Sequence, residues 1–163
     1  MSLERIREQE RSITTLQNAQ ATGKLASAYL FRGPSGVGKL STAKAFAAQV
    51  LAEGDRSQEA RAMAGRHPDL RVFSPREEGK GNIQVNFLRE EILPFAHFAP
   101  FEAKKAFLLF PDADISFPPH PPEAANALLK TLEEPKASVH FILISHRPER
   151  LISTILSRCQ RFD

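Results

Sequence analysis

Tryptophan is absent from the 163 residues, and tyrosine and cysteine each occur once. The single thiol, Cys159, can form no internal disulfide and no cysteine-based zinc site by itself, which fits a reducing cytosol. No uninterrupted apolar stretch approaches the roughly 20 residues of a membrane span. The first residues, Met1-Ser2-Leu3-Glu4-Arg5-Ile6-Arg7-Glu8, are charged where an export signal is apolar. A soluble, cytoplasmic protein with no membrane partner is the expectation. Neither sign of charge dominates: the net charge is +3, with acidic residues scattered among the basic ones. A solvated mixed-charge surface accounts for that balance better than a dedicated DNA-binding face does. With 42% hydrophobic and 25% charged residues, the chain can bury a core of its own. One domain spanning residues 1–163 follows.

What is present alternates between two periods. Leu3, Ile6, Ile13, Leu16 and Ala19 partly fit a helical spacing that Gly23 ends, so one or two short helices are expected before Leu25. A strand is expected at Ala28-Tyr29-Leu30-Phe31, then a glycine-rich loop, then an alanine-rich helix from about Leu40 to Leu51. Gly54 to Gly65 is polar and reads as a loop leading to a helical turn. Leu70-Arg71-Val72-Phe73 reads as a second strand, broken by Pro75 to Gly81. Val85, Leu88, Ile92 and Phe95 keep helical spacing within Ile83 to Phe98, with Pro94 kinking or ending that helix. Ala106 to Phe110 is apolar at every position, as in a strand covered on both faces.

Pro111 to Pro122 holds five of the twelve prolines and reads as an extended loop without helix. A helix at Glu123 to Glu134, a buried strand at Val139 to Ile144, a helix near Pro148 to Ile155 and an edge strand at Cys159 to Phe162 complete the chain. Strands alternating with helices imply an α/β fold: a parallel sheet with helices on both faces.

The loop Gly33-Pro34-Ser35-Gly36-Val37-Gly38-Lys39 carries the first chemical signal. Glycines allow a tight turn whose amides point at a polyphosphate, the following helix adds its positive end, and Lys39 would reach the outer phosphates. The full pattern places Ser or Thr directly after the lysine, because that hydroxyl ligates magnesium. Leu40 stands there, and Ser41 lies one helical step of about 100° further round. Two readings stay open: a phosphate cradle, Gly33 to Ser41, with damaged metal binding, or a turn that binds nothing. ATP or ADP, held weakly and without metal, is the cofactor the first would take.

Hydrolysis also needs an acidic pair after a buried strand. Here the strand runs into Pro111-Asp112-Ala113-Asp114, so the first carboxylate is missing and the second is a methylene short of a glutamate. No side-chain metal site is expected. Asp112 and Asp114 read as solvated loop residues.

Asn126-Ala127-Leu128-Leu129-Lys130-Thr131-Leu132-Glu133-Glu134-Pro135, together with Ser157-Arg158-Cys159, resembles signatures of the bacterial DNA polymerase III clamp-loader subunits, gamma/tau and delta-prime, of the AAA+ class. The phosphate loop and the strand Phe141 to Ile144 keep the same order. Gly65-Arg66-His67-Pro68-Asp69 and the degraded acidic motif are similar to delta-prime. No cysteine falls between Gly54 and Gly65, so the four-cysteine zinc module common in the family is excluded there.

The resemblance implies an AAA+ (RecA-like P-loop) core from which the lid and collar domains are missing. It implies a subunit that assembles with gamma/tau and delta in a hetero-pentamer. That complex loads a sliding clamp on primer-template DNA during replication, as part of the DNA-directed DNA polymerase III holoenzyme. It also implies that Arg158 is an arginine finger, projected in trans toward ATP on a neighbouring subunit. The alternatives are an ATP-hydrolysing gamma/tau-type motor, with Ser41 or water as substitute ligand, and an unrelated P-loop kinase or hydrolase. Ser145 falls where the family places a γ-phosphate sensor and reads here as structural. His67 and His146 read as local hydrogen-bonding histidines.

Overall fold

The computed structural model describes residues 10–36, 38–75 and 81–162. The early helical positions Leu3 and Ile6, Val37 of the loop, and most of the break between Pro75 and Gly81 lie outside them.

Among the described residues five strands form one sheet: β1 (Ala28–Arg32), β2 (Leu70–Val72), β3 (Ala106–Phe110), β4 (Val139–Ser145) and β5 (Gln160–Phe162). Their order is β2-β3-β4-β1-β5 and every pairing is parallel. Of the interior strands, β3 and β4 are buried at all positions, as the apolar runs Ala106 to Phe110 and Phe141 to Ile144 require between two helical layers.

Alternate residues feed two cores. On one face Leu30, Leu108, Phe110, Phe141 and Leu143 pack under α7 (Glu123–Glu133) and α8 (Ser153–Ser157). On the other, Tyr29, Phe31, Phe107, Leu109, Ile142 and Ile144 pack under α1 (Glu10–Thr22), α2 (Lys39–Ala52) and α3 (Arg56–Met63).

Three local expectations are corrected. The polar stretch after α2 is not mainly loop: Asp55 caps it, accepting from the backbone N–H of Ser57 and Gln58, and α3 follows at once. The helix sought between Ile83 and Phe98 is three pieces, α4 (Val85–Phe87), a wide turn over Leu88–Ile92 and α5 (Pro94–His97). Leu93 N–H reaches back five residues to Leu88 O at 2.8 Å, because Pro94 brings a ring and no N–H where the regular ladder would continue. The proline-rich segment is not helix-free either: α6 (Ala113–Ser116) forms inside it, and Phe117 behind it is fully buried. Both follow from the apolar face of the sheet, which draws in Ala113 and Phe117 regardless of the prolines on the far side.

Asp69 explains the Gly65 to Asp69 stretch. Its buried carboxylate accepts three successive backbone N–H groups, Phe101 at 2.6 Å, Glu102 at 2.8 Å and Ala103 at 2.7 Å. His67 Nδ1 in turn accepts the Asp69 N–H at 3.0 Å, so His67 is the local hydrogen-bonding residue expected. Arg61 of α3 grips both carboxylate oxygens of Glu102 and ties the same loop to the helix layer.

His140 lies buried in β4, tilted against Phe107, with Nδ1 2.7 Å from Ala26 O. Burial pushes its imidazole below the ordinary value of 6.5, the Ala26 bond works in the opposite sense, and Lys105 adds to the depression. Below pH 6.5 the unfolded chain therefore binds a proton that the folded chain refuses. Stability falls as the pH drops from 6.5 toward the lower folded value, and levels off beneath it. Denaturant midpoints measured from pH 7.5 down to pH 5 should show this decline, and a His140→Phe variant should show a shallower one.

Candidate functional site at the phosphate loop, and an arginine at the opposite end of the strands

Parallel strands place the ends of β1, β3 and β4 side by side, and the loops leaving them build one cleft of about 270 Å³. The loop after β1 contributes Ser35, Gly36, Gly38 and Lys39; Pro111 and Asp112 follow β3; Ile144 and His146 come from the end of β4. Gly36 and Gly38 have φ of 85° and 87°, a left-handed backbone that a side chain would strain. Gly38 caps α2 without any side-chain bond, and the first regular helical bond is Thr42 N–H to Gly38 O at 2.9 Å. The amides of the first turn thus remain for a ligand in the cleft.

Lys39 is 7% exposed, and its ammonium donates to the loop carbonyls of Gly33, at 2.8 Å, and Pro34. Burial lowers its pKa, while Asp112 and Asp114 pull it back up. The cation is held inside the curl of the loop, where incoming phosphate oxygens would meet it.

The metal side of the cleft is poor. Leu40 lines the cleft with its side chain partly buried against the core under α2, and Ser41, exposed on the next helical step, lines it as well. Pro111 occupies the first acidic position at the end of β3 and lines the cleft. Asp112 adopts a left-handed backbone with φ 55°, and its carboxylate lies 3.8 Å from His146 Nδ1. Asp114 corrects the sequence reading: it is 4% exposed, not solvated, and Ser145 Oγ donates to it at 2.7 Å while accepting Arg147 N–H at 3.0 Å. That pair braces α6 against the end of β4, so Ser145 is committed within the protein. Among the described residues no three His, Cys, Asp or Glu side chains converge as a metal site. Magnesium beside a nucleotide takes one or two protein oxygens with waters and phosphates, and Leu40 and Pro111 offer it no side-chain oxygen.

Sequence reasoning missed the Asp114–Ser145 pair and the place of His146 on the cleft. The signal was topological: once β3 and β4 are neighbours in register, Phe110 opposite Leu143, residues 112–114 must lie beside 145 and 146.

Arg158 is elsewhere. It caps the C-terminus of α8 and precedes β5, whose Gln160 pairs with Tyr29 near the start of β1. The phosphate loop leaves the other end of β1. The ends of that five-residue strand are about 13 Å apart at about 3.3 Å per step. Arg158 therefore enters β5 at the end of the strands opposite the chain's own cleft. It is half exposed, and its Nη2 donates to Glu133 Oε1 at 3.2 Å. Beside it, burial pushes the Cys159 thiol up to about 12, so this sulfur is a packing group and not a nucleophile at neutral pH.

The family model for DNA polymerase III, delta subunit, matches residues 8–163. The chain belongs to this family, as a clamp-loader subunit of the delta-prime type. It is 39% identical over 142 residues to DNA polymerase III subunit delta' of Pseudomonas aeruginosa, covering 82% of this chain and 42% of that protein. To DNA polymerase III subunit tau of Bacillus subtilis it is 38% identical over 160 residues, covering 95% of this chain and 27% of the relative. A crystal structure of a gamma subunit-related protein from Thermotoga maritima superposes with a TM-score of 0.61 at 22% identity, over 90% of this chain and 44% of that one. The chain thus spans less than half the length of these relatives, and its parallel-sheet fold is that of the gamma subunit-related protein. Among the described residues no helix is long and apolar enough to cross a membrane.

Proposed function

We propose that this clamp-loader core belongs to a subunit that does not hydrolyse ATP and that supplies Arg158 to ATP bound by a neighbouring motor subunit. The observation that carries the reading is the pairing of a metal-poor cleft at one end of the strands with a half-exposed arginine at the other. Arg158 does not line its own cleft, and a planar, permanently charged guanidinium is the group best suited to charge developing on a transferring phosphoryl. Its neighbours would be gamma/tau and delta in a hetero-pentamer that loads a sliding clamp on primer-template DNA.

In this reading the cleft keeps a structural or sensing role. The glycine amides and Lys39 bind the phosphates of ATP or ADP weakly, and magnesium contributes nothing. An ATP-hydrolysing motor of the gamma/tau type would need an oxygen ligand where Leu40 and Pro111 stand. The reading is tested by magnesium: the purified full-length subunit should neither turn over ATP nor gain nucleotide affinity when the ion is added. Hydrolysis lost on Lys39→Ala would favour the motor instead.

A further inference from the structure

The two segments that carried the family resemblance meet in space, and Glu133 and Arg158, 25 residues apart in sequence, join them by a hydrogen bond from Nη2 to Oε1. Both ends of that contact are mounted rigidly. Glu133 is the last residue of α7, and Arg158 follows the last turn of α8 with its own N–H bonded to Ile155 O at 3.0 Å. Leu128 and Leu132 of α7 and Ile155 of α8 are buried in one cluster, with Leu156 and Cys159 packed against it, so the two helix ends hold a fixed separation.

We propose that Glu133 is the positioning residue for Arg158. This inference rests on the trans-acting role assigned to Arg158 above. A free arginine side chain samples many rotamers, and a finger must be held near its productive geometry before a partner's phosphate arrives. Glu133 restricts that sampling while using one of the five N–H donors of the guanidinium. Among the described residues Nε and Nη1 have no other side-chain or backbone acceptor, so most of the fork remains for phosphate oxygens. The side chains are 49% and 42% exposed, a level at which the pair orients the arginine without neutralising it in a buried site. A phosphate arriving from the open side adds to the contact; it need not displace it.

The test is steady-state ATP turnover by the assembled loader, carrying the full-length subunit as wild type, E133A, E133Q, R158A or the double variant. E133A should lower kcat about fivefold at unchanged KM for ATP, the size expected for losing one exposed orienting pair. E133Q should recover most of the rate, because its amide oxygen still accepts from Nη2. Adding E133A to R158A should change nothing further. An E133A rate equal to wild type while R158A is slow overturns the inference and leaves the finger intact. E133A slowing the R158A background by the same factor overturns it too, by placing Glu133 in another role. An R158A loader as fast as wild type overturns the finger, and the inference with it.

Discussion

Replacing Arg158 by alanine in the full-length subunit should lower ATP turnover of the assembled loader at the adjoining site by about 10³-fold, the lower end of what an arginine supplied in trans contributes. Nucleotide affinity of the subunit's own loop should stay unchanged, since Arg158 precedes β5 at the end of the strands away from that loop. Arg158→Lys should rescue little. An ammonium is a compact point charge without the planar fork, so it could not hold Glu133 through one donor and present the others to phosphate. Stopped-flow release of phosphate from the assembled complex measures both variants. A loss confined to KM would mean that the residue helps to hold ATP and does not act on the transferring phosphoryl.

The second large effect is structural. Asp69→Ala should destabilise the domain by about 3 kcal/mol, because three backbone N–H groups lose a charged acceptor at once and no other side chain is placed to replace it. At about 2 to 4 °C per kcal/mol for a domain of this size, the thermal midpoint should fall by roughly 10 °C. Asp69→Asn should fall less, since one amide oxygen still accepts. Calorimetric or circular-dichroism melts decide this. A midpoint within about 2 °C of wild type would show that the 101–103 loop is held by the Arg61 grip on Glu102 alone.

These expectations divide along the line between what local sequence encodes and what the sheet assembles. The interior strands were legible because β3 and β4 are apolar at nearly every position, and the phosphate loop because its glycines, lysine and flanking elements follow one another in the chain. The defects at Leu40 and Pro111 were legible for the same reason: each replaces a ligand at a fixed offset.

What escaped was set by contacts between distant segments. Asp114 reads as a loop residue beside prolines, and only the packing of α6 against β4 buries it on Ser145. Pro94 announced a break but not the wide turn that precedes it. The Gly65 to Asp69 stretch served as a family marker, although its physical task, capping the 101–103 loop, depends on residues more than 30 positions away. Arg158 was legible as a candidate, while its partner Glu133 and its place at the far end of the strands needed α7, α8 and β5 to be packed.

The central claim is that this cleft lacks the oxygen ligands to use a divalent ion. Isothermal titration of ATP and ADP into the full-length subunit, with magnesium and with chelator, tests it most directly. The account predicts weak binding of the same affinity in both conditions, carried by the loop amides and Lys39, with no hydrolysis. Affinity that rises tenfold or more with magnesium, accompanied by turnover, would contradict it.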